Sequence, residues 1–343
     1  MTLEQALQLH RDGQFEPAEQ AYREILAATP DEAGTLHLLG VLRHRRGDSV
    51  EAADLIGRAI AQAPDNAQYH LSLGGVQMHT GDTDAARASF ETALQLDPNI
   101  VEAHGLLGHL RLLDGDTADA ESRFTVGRRA EDDDPMLLLG LGNVYLARND
   151  AVNAAKFLTR AAERKPDDAA IQTSLGRALF DQGAFAFAEQ AFGNALRLRP
   201  DLSLAKLFLA RSKLRQRKFN EARDLFADLA QSGVQAFGAN AGLGDVARQQ
   251  GHIVKALKLY RRALGIDPAH PGAVNACAWC MEQLGDLASA VTYLEDGLQR
   301  RPEADELRVP LALLLDRLGR TQDAAQVREQ SAIARTNAAG APR

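Results

Sequence analysis

The sequence predicts an all-α protein built as an array of ten 34-residue units, each a pair of helices. Three series of residues predict it. Pro30, Pro64, Pro98, Pro166, Pro200, Pro268 and Pro302 lie on one grid whose gaps are 34 residues or twice 34, and a fixed period of that size marks an array of one supersecondary unit. The two empty grid points, Asp132 and Val234, keep the phase. Ala18 recurs on the same period as Ala52, Ala86, Ala120, Ala154, Ala188, Ala222, Ala256, Ala290 and Ala324. Twelve residues before each stands another small residue: Gly40, Gly74, Gly108, Gly142, Gly176 and Gly244, or Ala6, Ala210, Ala278 and Ala312.

Each element has a physical reason. Two helices of a hairpin must cross closely, and the small residues are placed at the crossing, where a longer side chain would overpack at a cost of about 1–3 kcal/mol. Leu39, Leu73, Leu107, Leu141, Leu175, Leu209, Leu243 and Leu311, with Cys277 as a substitute, precede the small residues and fill the space between hairpins. So does the large series Tyr22, Ile56, Phe90, Phe124, Leu158, Phe192, Phe226, Tyr260 and Leu294. Gly13, Gly47, Gly81, Gly115, Gly183, Gly251, Gly285 and Gly319 end the first helices, since glycine tolerates the left-handed conformation that closes a helix. Asn149 and Arg217 take that place once each, and strain or an altered turn is expected at Arg217. The prolines end the second helices, and the Asp or Asn after five of them is placed to cap the next helix.

The unit boundaries expected are 1–32, 33–66, 67–100, 101–134, 135–168, 169–202, 203–236, 237–270, 271–304 and 305–338, forming one array over 1–338 with a frayed tail at 339–343. The last unit drifts, with Arg328 in the large apolar place and a polar Ser331. A polar terminal repeat acts as a solubility cap.

These interlocked series resemble the tetratricopeptide repeat over nearly the whole chain. The resemblance implies a right-handed superhelical solenoid of helix–turn–helix repeats whose first helices line a concave face that binds protein segments. Chaperone-binding members hold a terminal carboxylate with a lysine–asparagine clamp over three units; here Asn143 alone matches, followed by Ser174, Leu204 and Phe208. The sugar-transferase arms of the family carry an asparagine ladder; the matching places hold Leu38, Ser72, Leu106, Gly140, Ser174, Phe208 and Gly242. The stretch from Thr35 to Asp65 also resembles the start of bacterial repeat proteins that carry a transferase domain afterwards. An alternative reading follows: a substrate-recruiting arm of a sulfotransferase- or glycosyltransferase-type enzyme whose catalytic domain is absent here.

Net charge is −7, from 39 basic and 46 acidic residues, which argues against a generic nucleic-acid footprint. No stretch approaches the roughly 18 apolar residues a membrane helix needs, and the N-terminus lacks the basic start and apolar core of a secretory signal. A cytoplasmic protein is expected. Cys277 and Cys280 form a C-x-x-C pair, but no further cysteines exist to complete a zinc site, so both are read as core residues. His37, His44, His79 and His109 fall on an exposed stripe of first helices and are read as a polar lining, with no metal and no cofactor expected. The acidic run Glu131 to Asp134 lacks the spacing of a calcium loop. No catalytic motif is present, and the tiling of units leaves no room for a catalytic domain, so a non-enzyme is expected.

The stripe opposite the core series carries large apolar residues in the middle units: Leu71, Met78, Leu112, Leu113, Met136, Leu139, Leu146, Phe180, Leu204, Leu207 and Leu214. Such a patch rimmed with charge suggests a partner. The rim is Arg177, Arg211, Arg215 and Arg248. In the run Arg211–Lys218, Arg211 and Arg215 face the stripe, while Lys213, Arg217 and Lys218 point elsewhere. The expected site is a peptide-binding groove of Leu139, Asn143, Leu146, Arg177, Phe180, Leu204, Leu207, Arg211, Leu214, Arg215 and Arg248. Arginine clamps carboxylates with paired hydrogen bonds, so the expected partner is a protein or peptide, amphipathic with acidic residues, and neither nucleic acid nor membrane.

Overall fold

The computed structural model describes residues 1–130 and 133–340. Glu131 and Asp132 of the acidic run, and residues 341–343 of the tail, lie outside the described residues. Twenty α-helices and no strands occur among the described residues, an all-α helical-repeat solenoid. The chain divides into two compact units, Met1–Pro166 and Asp167–Arg343.

The first unit pairs α1 (Leu3–Arg11) with α2 (Phe15–Ala28), α3 (Ala33–Arg45) with α4 (Ser49–Gln62), α5 (Ala67–His79) with α6 (Thr83–Leu96), α7 (Val101–Leu113) with α8 (Thr117–Ala130) and α9 (Pro135–Ala147) with α10 (Ala151–Arg164). The second pairs α11 (Ala169–Asp181) with α12 (Phe185–Leu198), α13 (Ser203–Arg215) with α14 (Phe219–Ser232), α15 (Ala236–Gln249) with α16 (Ile253–Leu264) and α17 (Pro271–Gln283) with α18 (Leu287–Arg300). A 3-10 turn (Asp305–Leu307) leads into α19 (Arg308–Arg317) and α20 (Thr321–Gly340). Residues 339 and 340 of the expected tail thus continue α20.

The crossing is as tight as the small residues imply. All ten alanines of the series are 0% exposed. A Cβ added to Gly74 would stand 2.5 Å from the Phe90 ring, one on Gly142 2.4 Å from Leu158, and one on Gly244 2.6 Å from Tyr260. The large residue therefore lies first against the small residue of its own hairpin, a refinement of the between-hairpin role expected. It also reaches the next repeat of the same unit: the Phe124 ring lies 2.8 Å from a Cβ on Gly108 and 2.3 Å from one on Gly140.

The eight turn glycines all take positive φ, and Asn149 and Arg217 follow at φ 58 and φ 61. The turn at Arg217 is therefore unaltered in form, and the left-handed backbone falls on a side chain that disfavours it. The empty grid point at Val234 has its own turn, with Gly233 at φ 73 and Gln235 at φ 55.

Capping departs from expectation by one residue. Glu32, Asn66 and Asp168 cap α3, α5 and α11, each two places after its proline. Asp31, Asp65 and Asp167 stand outside the helices, in the turn with their prolines, and the extended residue after each takes the cap. A second capping series was not anticipated: Asp48, Asp82, Asp150 and Asp286, directly after the turn residue, accept the first N–H groups of α4, α6, α10 and α18. Ser331, expected on a polar outer face, is buried and donates to Asp305 Oδ1 at 2.7 Å.

Candidate functional site

In the second unit, α11 and α13 assemble a cluster of guanidinium groups and rings. Phe208, Arg211 and Arg215 share one face of α13 by their spacing of three and four. The Cζ atoms of Arg177 and Arg211 lie 4.9 and 5.2 Å from the centre of the Phe208 ring. Phe208 meets Phe180 edge-on at 5.4 Å and stacks on the core ring Phe192 at 5.7 Å. Arg215 lies 4.6 Å over Phe185, which meets Phe180 edge-on at 5.4 Å. The core thus holds the rings, and the rings hold the arginines, an arrangement cation–π attraction favours.

The charges are unevenly satisfied. Arg177 pairs with Asp181 at 2.8 Å. Arg211 and Arg215 have no ion pair among the described residues. Burial lowers the pKa of Arg211, Asp245 opposes that, and Arg177 reinforces it. A partly desolvated cation beside a like charge gains most from an added carboxylate.

Arg248 is tied inward. It donates to the Tyr260 hydroxyl at 3.2 Å, lies 3.5 Å from Asp245 and sits 5.4 Å over Trp279. Tyr260 in turn donates to Asp245 at 2.7 Å. With Gly272, Asn275 and Trp279, Asp245 and Arg248 line a cleft of about 300 Å³. This pocket is mixed in charge, unlike the free basic rim expected at Arg248.

The apolar floor is smaller than expected. Leu204 is 48% exposed and Phe180 is half-buried. Leu207 and Leu214, placed on the floor from sequence, are buried at 4% and 5% and pack with Phe226, Ala239 and Val246. The reason is that neighbouring first helices touch: a Cβ on Gly238 of α15 would stand 3.0 Å from Leu207. Leu71 of the stripe is core for the same class of reason, at 4% exposure. Leu139, Asn143 and Leu146 are half-buried on α9 and belong to the first unit. Phe208, seen in the sequence as a departure from the asparagine ladder, is the centre of the cluster. Its signal was an aromatic residue three before Arg211.

The rest of the basic run has a structural task. Lys213 and Lys218 donate to Glu189 at 2.7 and 2.8 Å, Gln216 donates to it at 2.6 Å, and Lys213 also reaches Glu221 at 2.6 Å. Burial raises the Glu189 carboxyl, but these hydrogen bonds outweigh it and hold the pKa at about 2.

The histidine stripe of the first unit is only partly exposed. His37 is half-buried, faces Ser72 Oγ at 2.8 Å and packs on Tyr69 at 4.6 Å, and burial lowers its pKa to about 4. His44 and His79 meet edge-on at 5.1 Å. Among the described residues no group of three or more His, Cys, Asp or Glu is placed to hold a metal ion. Cys277 and Cys280 are free and fully buried, and burial pushes their thiols up to about 12 and 11. A thiol held protonated is a poor nucleophile and metal ligand.

Comparison with known proteins agrees with this architecture. The family model described as the Cilia and flagella-associated protein 70 C-terminal domain matches residues 2–206. Tetratricopeptide repeat models match 207–271 and 282–340, and another matches 247–299. No curated protein matches the chain. Among solved structures, a tetratricopeptide repeat protein from Parabacteroides merdae has a TM-score of 0.53 at 17% identity, covering 71% of this chain and 96% of that one. Yeast Tom70 has a TM-score of 0.52 at 14% identity, covering 96% and 91%. PilF of Pseudomonas aeruginosa has a TM-score of 0.51 at 19% identity, covering 60% and 93%. At these identities the likeness is one of fold. The chain belongs to the tetratricopeptide repeat family, its first part through the Cilia and flagella-associated protein 70 C-terminal domain. Repeats of this family generally mediate protein–protein contacts and are typically non-catalytic. No described helix is long and apolar enough to cross a membrane.

Proposed function

We propose that this tetratricopeptide repeat protein is a cytoplasmic interaction scaffold, without catalysis or cofactor, that takes an extended or helical segment of a partner protein on the first-helix face of residues 167–343. The observation that carries the reading is the pair of guanidinium groups on the Phe208 ring, one of them in no ion pair among the described residues, with Asp245 acting on it only from a distance. A folded chain of net charge −7 has many carboxylates to spare. Leaving Arg211 and Arg215 without an ion pair on an aromatic surface prepares them for an incoming acid.

The ligand chemistry follows from the cluster. Leu204 and Phe180 offer apolar contact, at roughly 25 cal/mol per Å² removed from water. Arg211 and Arg215 offer charge-assisted hydrogen bonds to Asp or Glu. The segment is therefore short and amphipathic, with large apolar anchors next to acidic residues. A displayed peptide library selected on the wild-type chain, with Arg211→Glu/Arg215→Glu as counter-selection, tests this. Enrichment of acidic, apolar sequences that the variant does not bind is expected. Enriched sequences held equally by both would move the site elsewhere.

A further inference from the structure

The second helices carry a pattern that the peptide-binding reading does not use. Between residues 246 and 266 the chain has no acidic residue, and α16 bears Lys255, Lys258, Arg261 and Arg262. Lys255, Lys258 and Arg262 are spaced three and four apart, so they form one stripe along the helix. All three are exposed, and none makes an ion pair or hydrogen bond among the described residues. Thirty-four residues earlier, at the same three register positions, α14 carries Glu221, Asp224 and Asp228. Their side chains are 58%, 69% and 61% exposed, and each is engaged within the chain by a basic side chain of α13 or α14, never of α16.

Two successive second helices of one compact unit thus present opposite charges in identical register. We infer that this face pairs with the same face of a second copy of the chain. A closed two-fold interface needs one surface that is complementary to itself. A two-fold axis running along the helices, between α14 and α16, sets the acidic stripe of each copy over the basic stripe of the other. Because both stripes derive from the same repeat positions, the pairs then fall at equal heights. A foreign acidic segment would use the basic stripe alone and leave the matched acidic stripe without a role. The surface pairs that hold Glu221, Asp224 and Asp228 at present are of the exposed kind that exchange readily. Val254, 68% exposed beside Lys255, adds apolar contact. Helices about 20 Å long give a contact small enough to make the dimer weak and salt-sensitive.

Sedimentation of the full chain over a concentration series tests the pairing. Reversible dimer formation at low salt that disappears at high salt is expected. Lys258→Glu/Arg262→Glu and Asp224→Lys/Asp228→Lys should each be monomeric, and their equimolar mixture should recover dimerisation at about the wild-type strength, since every pair is then again opposite in sign. The milder Lys258→Gln/Arg262→Gln variant, monitored by circular dichroism for helix content, checks the loss if a reversal impairs folding. A wild-type chain that stays monomeric at low salt overturns the inference, as does association unchanged in both reversals or a mixture that stays monomeric. So does tight binding of a labelled oligo-glutamate peptide through Lys255 and Lys258 without self-association, which would make a foreign acidic segment the occupant. Failure of Arg211 and Arg215 to bind peptides leaves this result unaffected.

Discussion

The two compact units share one packing scheme and differ in the chemistry of their first-helix faces. In Met1–Pro166 that face holds imidazoles and hydroxyls, as in His37 against Ser72 and Tyr69. In Asp167–Arg343 it holds guanidinium groups on phenyl rings, as in Arg177 and Arg211 on Phe208. Beneath both, a glycine meets a large residue of the partner helix, Gly74 with Phe90 in one and Gly176 with Phe192 in the other. The contrast teaches that the crossing fixes a few positions per repeat and leaves the exposed face free to specialise.

The largest effect should come from the shared element. Gly74→Leu and Gly176→Leu each force a side chain into a ring and should each cost about 3 kcal/mol by overpacking, read from denaturant midpoints. A large loss in one unit and none in the other would break the claim of common packing.

Acid should separate the units next. His37 has a folded-state pKa of about 4 against an ordinary 6.5, so the unfolded state takes up its proton first. Its contribution is complete above pH 6.5 and is lost as pH falls toward 4, amounting to at most about 3 kcal/mol. Glu189 works in the same direction over a lower window, present above 4.5 and lost as pH falls toward 2. Unfolding midpoints of wild type and His37→Gln between pH 7 and about 5 should differ in slope. Equal slopes would remove His37 as the source.

Glu189→Gln should cost about 1–2 kcal/mol, because it leaves Lys213 and Lys218 without their shared carboxylate in a partly buried place. Arg217→Gly should gain about 1 kcal/mol by relieving the left-handed backbone, a small effect visible in the melting temperature. No gain would mean that the Arg217 contact with Phe219, 5.9 Å from guanidinium to ring centre, offsets the strain.

The repeat was legible because packing at the crossing tolerates few residues, so Ala188 or Gly142 announces its environment. The turns were legible for the same reason: a positive φ selects glycine at Gly183 and makes Arg217 stand out. The candidate site was legible in part. Arg211 and Arg215 were found as a charged pair on one helix face. Leu207 and Leu214 were misplaced because an intrahelix period gives the direction of a side chain but not how closely the next first helix approaches. The support of Arg215 by Phe185 and of Arg177 by Phe208 was missed because it is formed between helices, while Phe208, three before Arg211 on the same helix, was read only as a departure from the ladder. The opposed stripes of α14 and α16 were hidden because charge was read along the chain, where Lys255 and Glu221 are far apart, and not across the period.

The most direct test of the central claim is the affinity of an acidic, apolar peptide selected on the wild-type chain, measured by calorimetry at low and high salt for wild type and Arg211→Glu/Arg215→Glu. The double reversal should weaken binding by at least about tenfold and flatten its salt dependence, while helix content is unchanged. Equal affinity in both proteins would contradict it.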